Sequence, residues 1–232
     1  MISKNEWNLL KKTHQHKETA FVSAYINSPC YHLITWFLIA KNITPNQVSI
    51  STIFLAIGAS FAYIYGNFIA GGILVQLINI VDGVDGEIAR IKHIGSPYGE
   101  IIDSLSDRVV EIVLCLAIGY GVWHTEGSAL GWVSSLIGII GFLGGNYLTE
   151  LAGARVGREV LKKSWKDLKK LIKFRLNHRS NQLFIIFVLS LLGSPELALL
   201  IIGAISVFYS ALRFYRMLPH LKNFPVMGIR HT

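Results

Sequence analysis

The sequence predicts an all-α, polytopic membrane protein, with six transmembrane helices preceded by an interfacial amphipathic helix. Three observations carry that prediction. Hydrophobic residues make up 52% of the 232 residues and charged residues only 16%, where a soluble domain carries about a quarter. The apolar residues gather into long runs instead of the short periodic stretches of a soluble core. Every Lys and Arg except Arg108 falls outside those runs or at their ends.

Six runs reach or approach the ~17–25 residues that cross a bilayer: 46–65, 68–90, 99–121, 129–154, 181–194 and 196–218. The fifth is short. Ahead of them, the apolar run from His32 to Ala40, bounded by Pro29 and Lys41, is too brief to span and fits a helix lying in the interface; a seventh span is the competing reading. The stretch from Arg155 to Arg179 sets Val160, Leu161, Trp165, Leu168, Leu171, Ile172 and Phe174 against many lysines, which predicts a basic amphipathic helix on the membrane surface. With six spans, the basic segments (the N-terminal region, Arg90 with Lys92, 155–179 and the tail) all fall on one side. The positive-inside rule makes that side the cytoplasm. The expected domains are an N-terminal juxtamembrane segment at 1–45, a transmembrane catalytic domain at 46–218 and a cytoplasmic tail at 219–232.

Other classes are set aside by the same residues. The net charge of +8 sits beside apolar spans and not on a solvated basic face with aromatics, so anionic headgroups, not nucleic acid, are the expected partner. Cys30 and Cys115 show neither a disulfide framework nor ligand spacing and read as packing residues. The polar N-terminus lacks the apolar core of a cleavable signal. His14, His16, His32 and His93 show no metal-ligand spacing.

The informative residues are carboxylates where carboxylates are costly. Asp82 and Asp85 fall near the end of the second run, Asp103 and Asp107 near the start of the third. An ionisable group in hydrocarbon costs several kcal/mol and normally faces a polar cavity with a partner. Helical spacing puts Asp82, Asp85, Gly86 and Ala89 on one stripe and Gly99, Asp103 and Asp107 on another. The short connection between these spans makes them antiparallel neighbours whose stripes can face each other. An all-carboxylate set suits Mg²⁺, Mn²⁺ or Ca²⁺. Gly86, Ala89 and Gly99 add no bulk beside the acids, though small residues also serve close helix packing. Arg90, one turn beyond Gly86, can face a phosphate.

The run Asp82-x2-Asp85-Gly86-x2-Ala89-Arg90-x8-Gly99-x3-Asp103-x3-Asp107 resembles, at every fixed position, the signature of the CDP-alcohol phosphotransferase family. Thr44-Pro45-Asn46 is similar to that family's entry into its first span. The resemblance covers roughly Asn42 to Arg216. It implies a homodimer with a cytoplasm-facing polar cavity and a two-metal site of Mg²⁺ or Mn²⁺. Asp82, Asp85 and Asp103 would hold the metal, and Asp107 would contribute to the site and act as general base. Gly86, Ala89 and Gly99 would admit the cytidine part of a CDP-alcohol, and Arg90 would contact its pyrophosphate. The implied reaction transfers a phosphate-linked group from a CDP-alcohol, of the CDP-diacylglycerol kind or an analogue, to an acceptor hydroxyl with release of CMP.

A phosphorylated acceptor, of the inositol phosphate or glycerol phosphate type, needs cations. Arg108, Arg155, Arg158 and Arg179 are the candidates, because arginine offers forked donors. Topology-setting is the alternative role for those at helix ends, and Arg108, within a span and beside Asp107, fits it least. The segment Asn177 to Phe184 weakly resembles a region of inositol-phosphate-using members. The alternative class is a divalent-cation transporter or channel, which also uses intramembrane carboxylates. Against it, the acidic stripes stop near one membrane face.

Overall fold

The computed structural model describes residues 21–39, 41, 43–92, 94, 97–156 and 177–222. Among them the secondary structure is helical throughout. A π-helical turn, Val22–Asn27, leads into α1 (Ser28–Ile39); α2 (Pro45–Ile64), α3 (Phe68–Lys92), α4 (Pro97–Glu126), α5 (Leu130–Val156), α6 (Arg179–Leu191) and α7 (Pro195–Lys222) follow. The expected basic helix and most of the N-terminal segment and tail lie outside the described residues.

The entry to α1 is longer than the sequence predicts, and Pro29 sits inside it instead of bounding it. The π register makes this possible. The Ser28 N–H bonds to the Ser23 carbonyl, five residues back. Pro29, lacking an N–H, leaves the next carbonyl in that register without a donor, and the Ser28 hydroxyl takes the place by donating to the Ala24 carbonyl at 2.9 Å. Tyr31, His32 and Thr35 face inward, while Leu33, Trp36 and Phe37 are exposed. Cys30 is exposed as well, so only Cys115 is the packing residue expected of both. Position 30 falls on the outward side of α1, next to the inward pair.

Helix α2 begins where its sequence says it should. Thr44 accepts from the Gln47 N–H and the Gln47 side chain accepts from the Thr44 N–H, with Pro45 in the first turn. Such a cap contributes about 1 kcal/mol. Gly66, at φ 72°, turns the chain, and Asn67 caps α3 through the Ala70 N–H at 3.1 Å. At 25 residues, α3 is about 37 Å long, enough to cross the hydrocarbon with turns to spare.

Among the described residues, three helices, α2, α3 and the Pro195–Arg216 part of α7, are long and apolar enough to cross a membrane; Leu130–Gly144 and Arg179–Leu191 are shorter apolar helices. These place the chain in the membrane. The 13 residues of α6 agree with the short fifth run. Helix α4 carries Asp103, Asp107, Arg108 and Glu111 in its first half. On the outer face of α2, Ile50, Ile53, Phe54, Ile57 and Phe61 are exposed, as lipid contact requires.

The core joins α2, α3, α4, α5, α6 and α7 through residues such as Tyr63, Ile78, Leu114, Phe142, Leu183 and Ile202. Glycines let the backbones close up. A methyl placed on Gly141 of α5 would lie 2.9 Å from the Gly203 Cα of α7. Helices α3 and α4 behave differently. Although a short connection joins them, their backbones hardly touch; each packs on α2 instead, and α3 also packs on α6. Helix α2 packs on both, and the acidic faces of α3 and α4 meet across the gap between them, as their spacing predicts.

Candidate intramembrane acidic site

That gap is where the carboxylates meet. Asp82, Asp85 and Asp103 each offer an oxygen, and the three oxygens lie within 4.8 Å of one another. Asp82 and Asp85 come from one face of α3, three residues apart, and Asp103 from the first half of α4. Oxygens this close repel unless a cation sits among them. An all-oxygen set of this spacing fits Mg²⁺ or Mn²⁺, which are held through carboxylates with their remaining positions left to water or phosphate.

The outer partners of the cluster come from three helices. The Ser49 hydroxyl of α2 donates to Asp85 Oδ2 at 2.7 Å, and the Gly86 N–H donates to Asp85 Oδ1. Asp85 is thereby fixed in orientation, as ligating carboxylates generally are. Arg179, the first residue of α6, reaches the other side. Its Nη1 lies 2.7 Å from Asp82 Oδ2, its Nη2 lies 2.9 Å from Asp107 Oδ1, and its Nε donates to Glu111 Oε1 at 3.0 Å. Arg108 Nη1 completes the chain, 2.6 Å from Glu111 Oε2, and also donates to the Phe142 carbonyl at 3.2 Å.

The position of Arg179 follows from the polar residues around it. The His178 side chain caps α6 by accepting from the Ser180 N–H. The Ser180 carbonyl accepts from Asn79 of α3 at 3.0 Å. Asn181 Oδ1 accepts from the Val22 N–H at 3.1 Å, and Gln182 donates to Asn177 at 2.8 Å. The polar residues on either side of Arg179, His178 before it and Ser180, Asn181 and Gln182 after it, therefore moor the first turn of α6 and aim Arg179 at the acids.

Within this network, five carboxylates (Asp82, Asp85, Asp103, Asp107 and Glu111) face two guanidiniums. Arg179 and Arg108 supply part of the charge balance. An excess of three negative charges remains, which one or two divalent cations would offset. Asp107 stands apart from the three-oxygen group and pairs with Arg179.

The other expected residues are placed as follows. The Arg90 guanidinium folds over Gly86, where an added methyl would lie 3.4 Å from Arg90 Nη1. Ala89 is half-buried, and Gly99, in the first turn of α4, is exposed. Arg155 falls in the last turn of α5 with its side chain outside the described set, and Arg158 lies outside the described residues.

Three contributors escaped the sequence reading. Glu111 extends the Asp103–Asp107 stripe by one more turn of four residues, a signal that was present. Ser49 carries none, because a serine near a helix start is ordinary. His32 was weighed only as a metal ligand. Its Nδ1 instead pairs with Glu87 Oε1 at 2.6 Å, both residues buried, tying α1 to the back of α3.

The fold and the acidic cluster together define a helical membrane protein with converging carboxylate oxygens, a set suited to a cation, between α3 and α4. Residues 42–212 match the family described as CDP-alcohol phosphatidyltransferase, and the chain belongs to that family. A bifunctional IPC transferase and DIPP synthase of Rubrobacter xylanophilus is 30% identical over 188 residues, which is 79% of this chain and 39% of that protein. The chain thus spans well under two thirds of that relative. The archaetidylinositol phosphate synthase of Pyrococcus horikoshii is 24% identical over 73% of this chain and 80% of its own. The crystal structure of Mycobacterium tuberculosis phosphatidylinositol phosphate synthase with CDP-DAG bound shares the fold at a TM-score of 0.64 and 18% identity, covering 87% of this chain and 99% of that one. A second structure of that synthase, in complex with manganese and citrate, aligns at 0.60 and 19% identity, over 80% of this chain and 87% of the other.

Proposed function

We propose that this protein transfers a phosphate-linked group from a CDP-alcohol to the hydroxyl of a phosphorylated acceptor, of the inositol phosphate or glycerol phosphate type, releasing CMP. The observation that carries the reading is the convergence of Asp82, Asp85 and Asp103 on one point with Arg179 beside them. A cation centre then adjoins an anion-binding group. The name of one relative, an archaetidylinositol phosphate synthase, supports the inositol phosphate class of acceptor.

Asp82, Asp85 and Asp103 would hold Mg²⁺ or Mn²⁺, with Asp107 at the edge of the site. Bound there, the metal supplies charge neutralisation of the pyrophosphate and of the leaving CMP. The residues of the chain do the rest. Gly86, Ala89 and Gly99 leave room for the cytidine part, and Arg90, over Gly86, reaches its phosphates. Arg179 and Arg108 receive the acceptor phosphate, together with Arg155 and Arg158. The acceptor hydroxyl attacks the β-phosphorus in line, and its proton passes to a carboxylate oxygen of Asp107. The new P–O bond forms as the bond to the bridging oxygen breaks, and that oxygen leaves with CMP.

The same reading sets the chain as six spans over 46–218, between a juxtamembrane segment at 1–45 and a tail at 219–232, as a homodimer with its site facing the cytoplasm. The cluster of Tyr120, Trp123 and Trp132, with ring centroids 5.8 to 6.5 Å apart, supports placing the acids near the opposite membrane face. It forms an aromatic belt at the ends of α4 and α5 remote from the acids.

A panel of CDP-alcohols and acceptors, scored by CMP release from purified protein with Mg²⁺ or Mn²⁺, tests the proposal. Release with a phosphorylated acceptor, and much less with its dephosphorylated counterpart, is the expected result. No CMP from any pair would overturn it.

A further inference from the structure

We propose that Glu111 is a positioning residue that acts through Arg179 to shape the acceptor phosphate site. The inference rests on the phosphorylated-acceptor reading above. Glu111 lies one turn deeper along α4 than Asp107, and its side chain is fully buried. One of its oxygens accepts from Arg179 Nε, and the other contacts Arg108 Nη1.

The choice of Nε matters. A guanidinium held at Nε cannot swing about its last side-chain bonds, so Nη1 and Nη2 are fixed in direction. On Arg179 both point to the reacting region, toward Asp82 and Asp107. Arginine carries five N–H donors; with Nε on Glu111, Nη1 on Asp82 and Nη2 on Asp107, one further N–H on each Nη is left to offer an anion. Glu111 also contacts Arg108, so one buried carboxylate holds two like charges close together. A carboxylate needed only to neutralise one arginine would be saturated by that arginine.

If Glu111 acts through Arg179, their substitutions do not add, since the second removes nothing that the first has left. The full-length protein with Mg²⁺ is titrated with inorganic phosphate, in wild type, Glu111→Gln, Arg179→Gln and the double variant, and the KM for CDP-diacylglycerol is measured alongside. Glu111→Gln is expected to weaken phosphate binding about tenfold, the scale of one charge-assisted contact. The double variant should bind no worse than Arg179→Gln alone, with the CDP-diacylglycerol KM unchanged in Glu111→Gln. Wild-type phosphate affinity in Glu111→Gln, or losses that multiply in the double variant, overturn the proposal.

Should Glu111→Gln fail to fold, Glu111→Asp keeps the charge and withdraws the carboxylate by one methylene. Weakened phosphate binding at unchanged donor KM supports the proposal, and wild-type phosphate binding overturns it. The two levels of the argument separate cleanly. Arg179→Gln with unaltered phosphate affinity sinks the acceptor reading itself. Impaired Arg179→Gln beside a normal Glu111→Gln sinks only the positioning role.

Discussion

Arg179 Nη1 lies 2.7 Å from Asp82 Oδ2, so the first turn of α6 is ion-paired to the acidic face of α3. Asp82 is also one of the three carboxylates whose oxygens converge. One side chain therefore belongs to the carboxylate cluster and pairs with the arginine that faces it. On the proposed function, Asp82 would hold the metal while pairing with the arginine that receives the acceptor phosphate, so that both would lie beside one carboxylate.

Asp107 stands outside the convergent oxygens and contacts Arg179, where a proton acceptor is more useful than another metal ligand. Asp107→Asn is expected to lower turnover by 10²-fold or more, the scale of general-base catalysis. Binding of the CDP-alcohol should stay within a few-fold of wild type. Single-turnover CMP release and a donor-binding titration check this, and near-normal turnover would refute the base assignment.

Ser49 holds Asp85 from outside the cluster. Ser49→Ala removes one hydrogen bond to a charged group, a change of about 1.5–3 kcal/mol at most. The concentration of Mn²⁺ for half-maximal activity should rise about tenfold, with saturated turnover little altered. An unchanged metal requirement would show that Asp85 is oriented without the serine.

The contrast between these two residues shows what the sequence could and could not disclose. Asp107 was legible because a carboxylate in an apolar run is costly and its spacing from Asp103 is helical. Ser49 was not, because its importance depends on α2 packing on both α3 and α4. The start of α2 was marked by the resemblance of Thr44-Pro45-Asn46 to the family's entry, and the short α6 by the length of its apolar run. Pro29 was misread because a π-helical turn accommodates a proline that an α-helical reading takes as a boundary. Arg179 was a candidate by residue type, but its reach to three carboxylates depends on polar neighbours, of which Ser180 and Asn181 are bonded to other elements.

Gly86 lies under Arg90, and a methyl there would meet Nη1 at 3.4 Å. Alanine requires only a small shift of a flexible side chain, whereas valine also fills the space over Asp85. Gly86→Val is expected to raise the KM for the CDP-alcohol about tenfold or more, on the scale of the 1–3 kcal/mol cost of overpacking. Gly86→Ala should stay within a few-fold. Equal effects of the two would show that bulk at this position is not what limits donor binding.

Gly141 tests the packing independently of the chemistry. A methyl on it would lie 2.9 Å from the Gly203 Cα and 3.1 Å from its nitrogen, and backbone cannot rotate away. Gly141→Val should destabilise the protein by about 1–3 kcal/mol, lowering the thermal midpoint in detergent while leaving the Mn²⁺ requirement of the surviving fraction unchanged. A midpoint equal to wild type would mean that α5 and α7 do not approach this closely.

The most direct test is Mn²⁺ binding, followed by electron paramagnetic resonance in the full-length protein and in Asp82→Asn, Asp85→Asn and Asp103→Asn. Saturable binding in wild type, weakened at least tenfold by each substitution while size-exclusion profiles stay unchanged, is the expected result. Wild-type affinity in all three variants, or no saturable binding in the parent protein, would contradict a cation site built from these carboxylates.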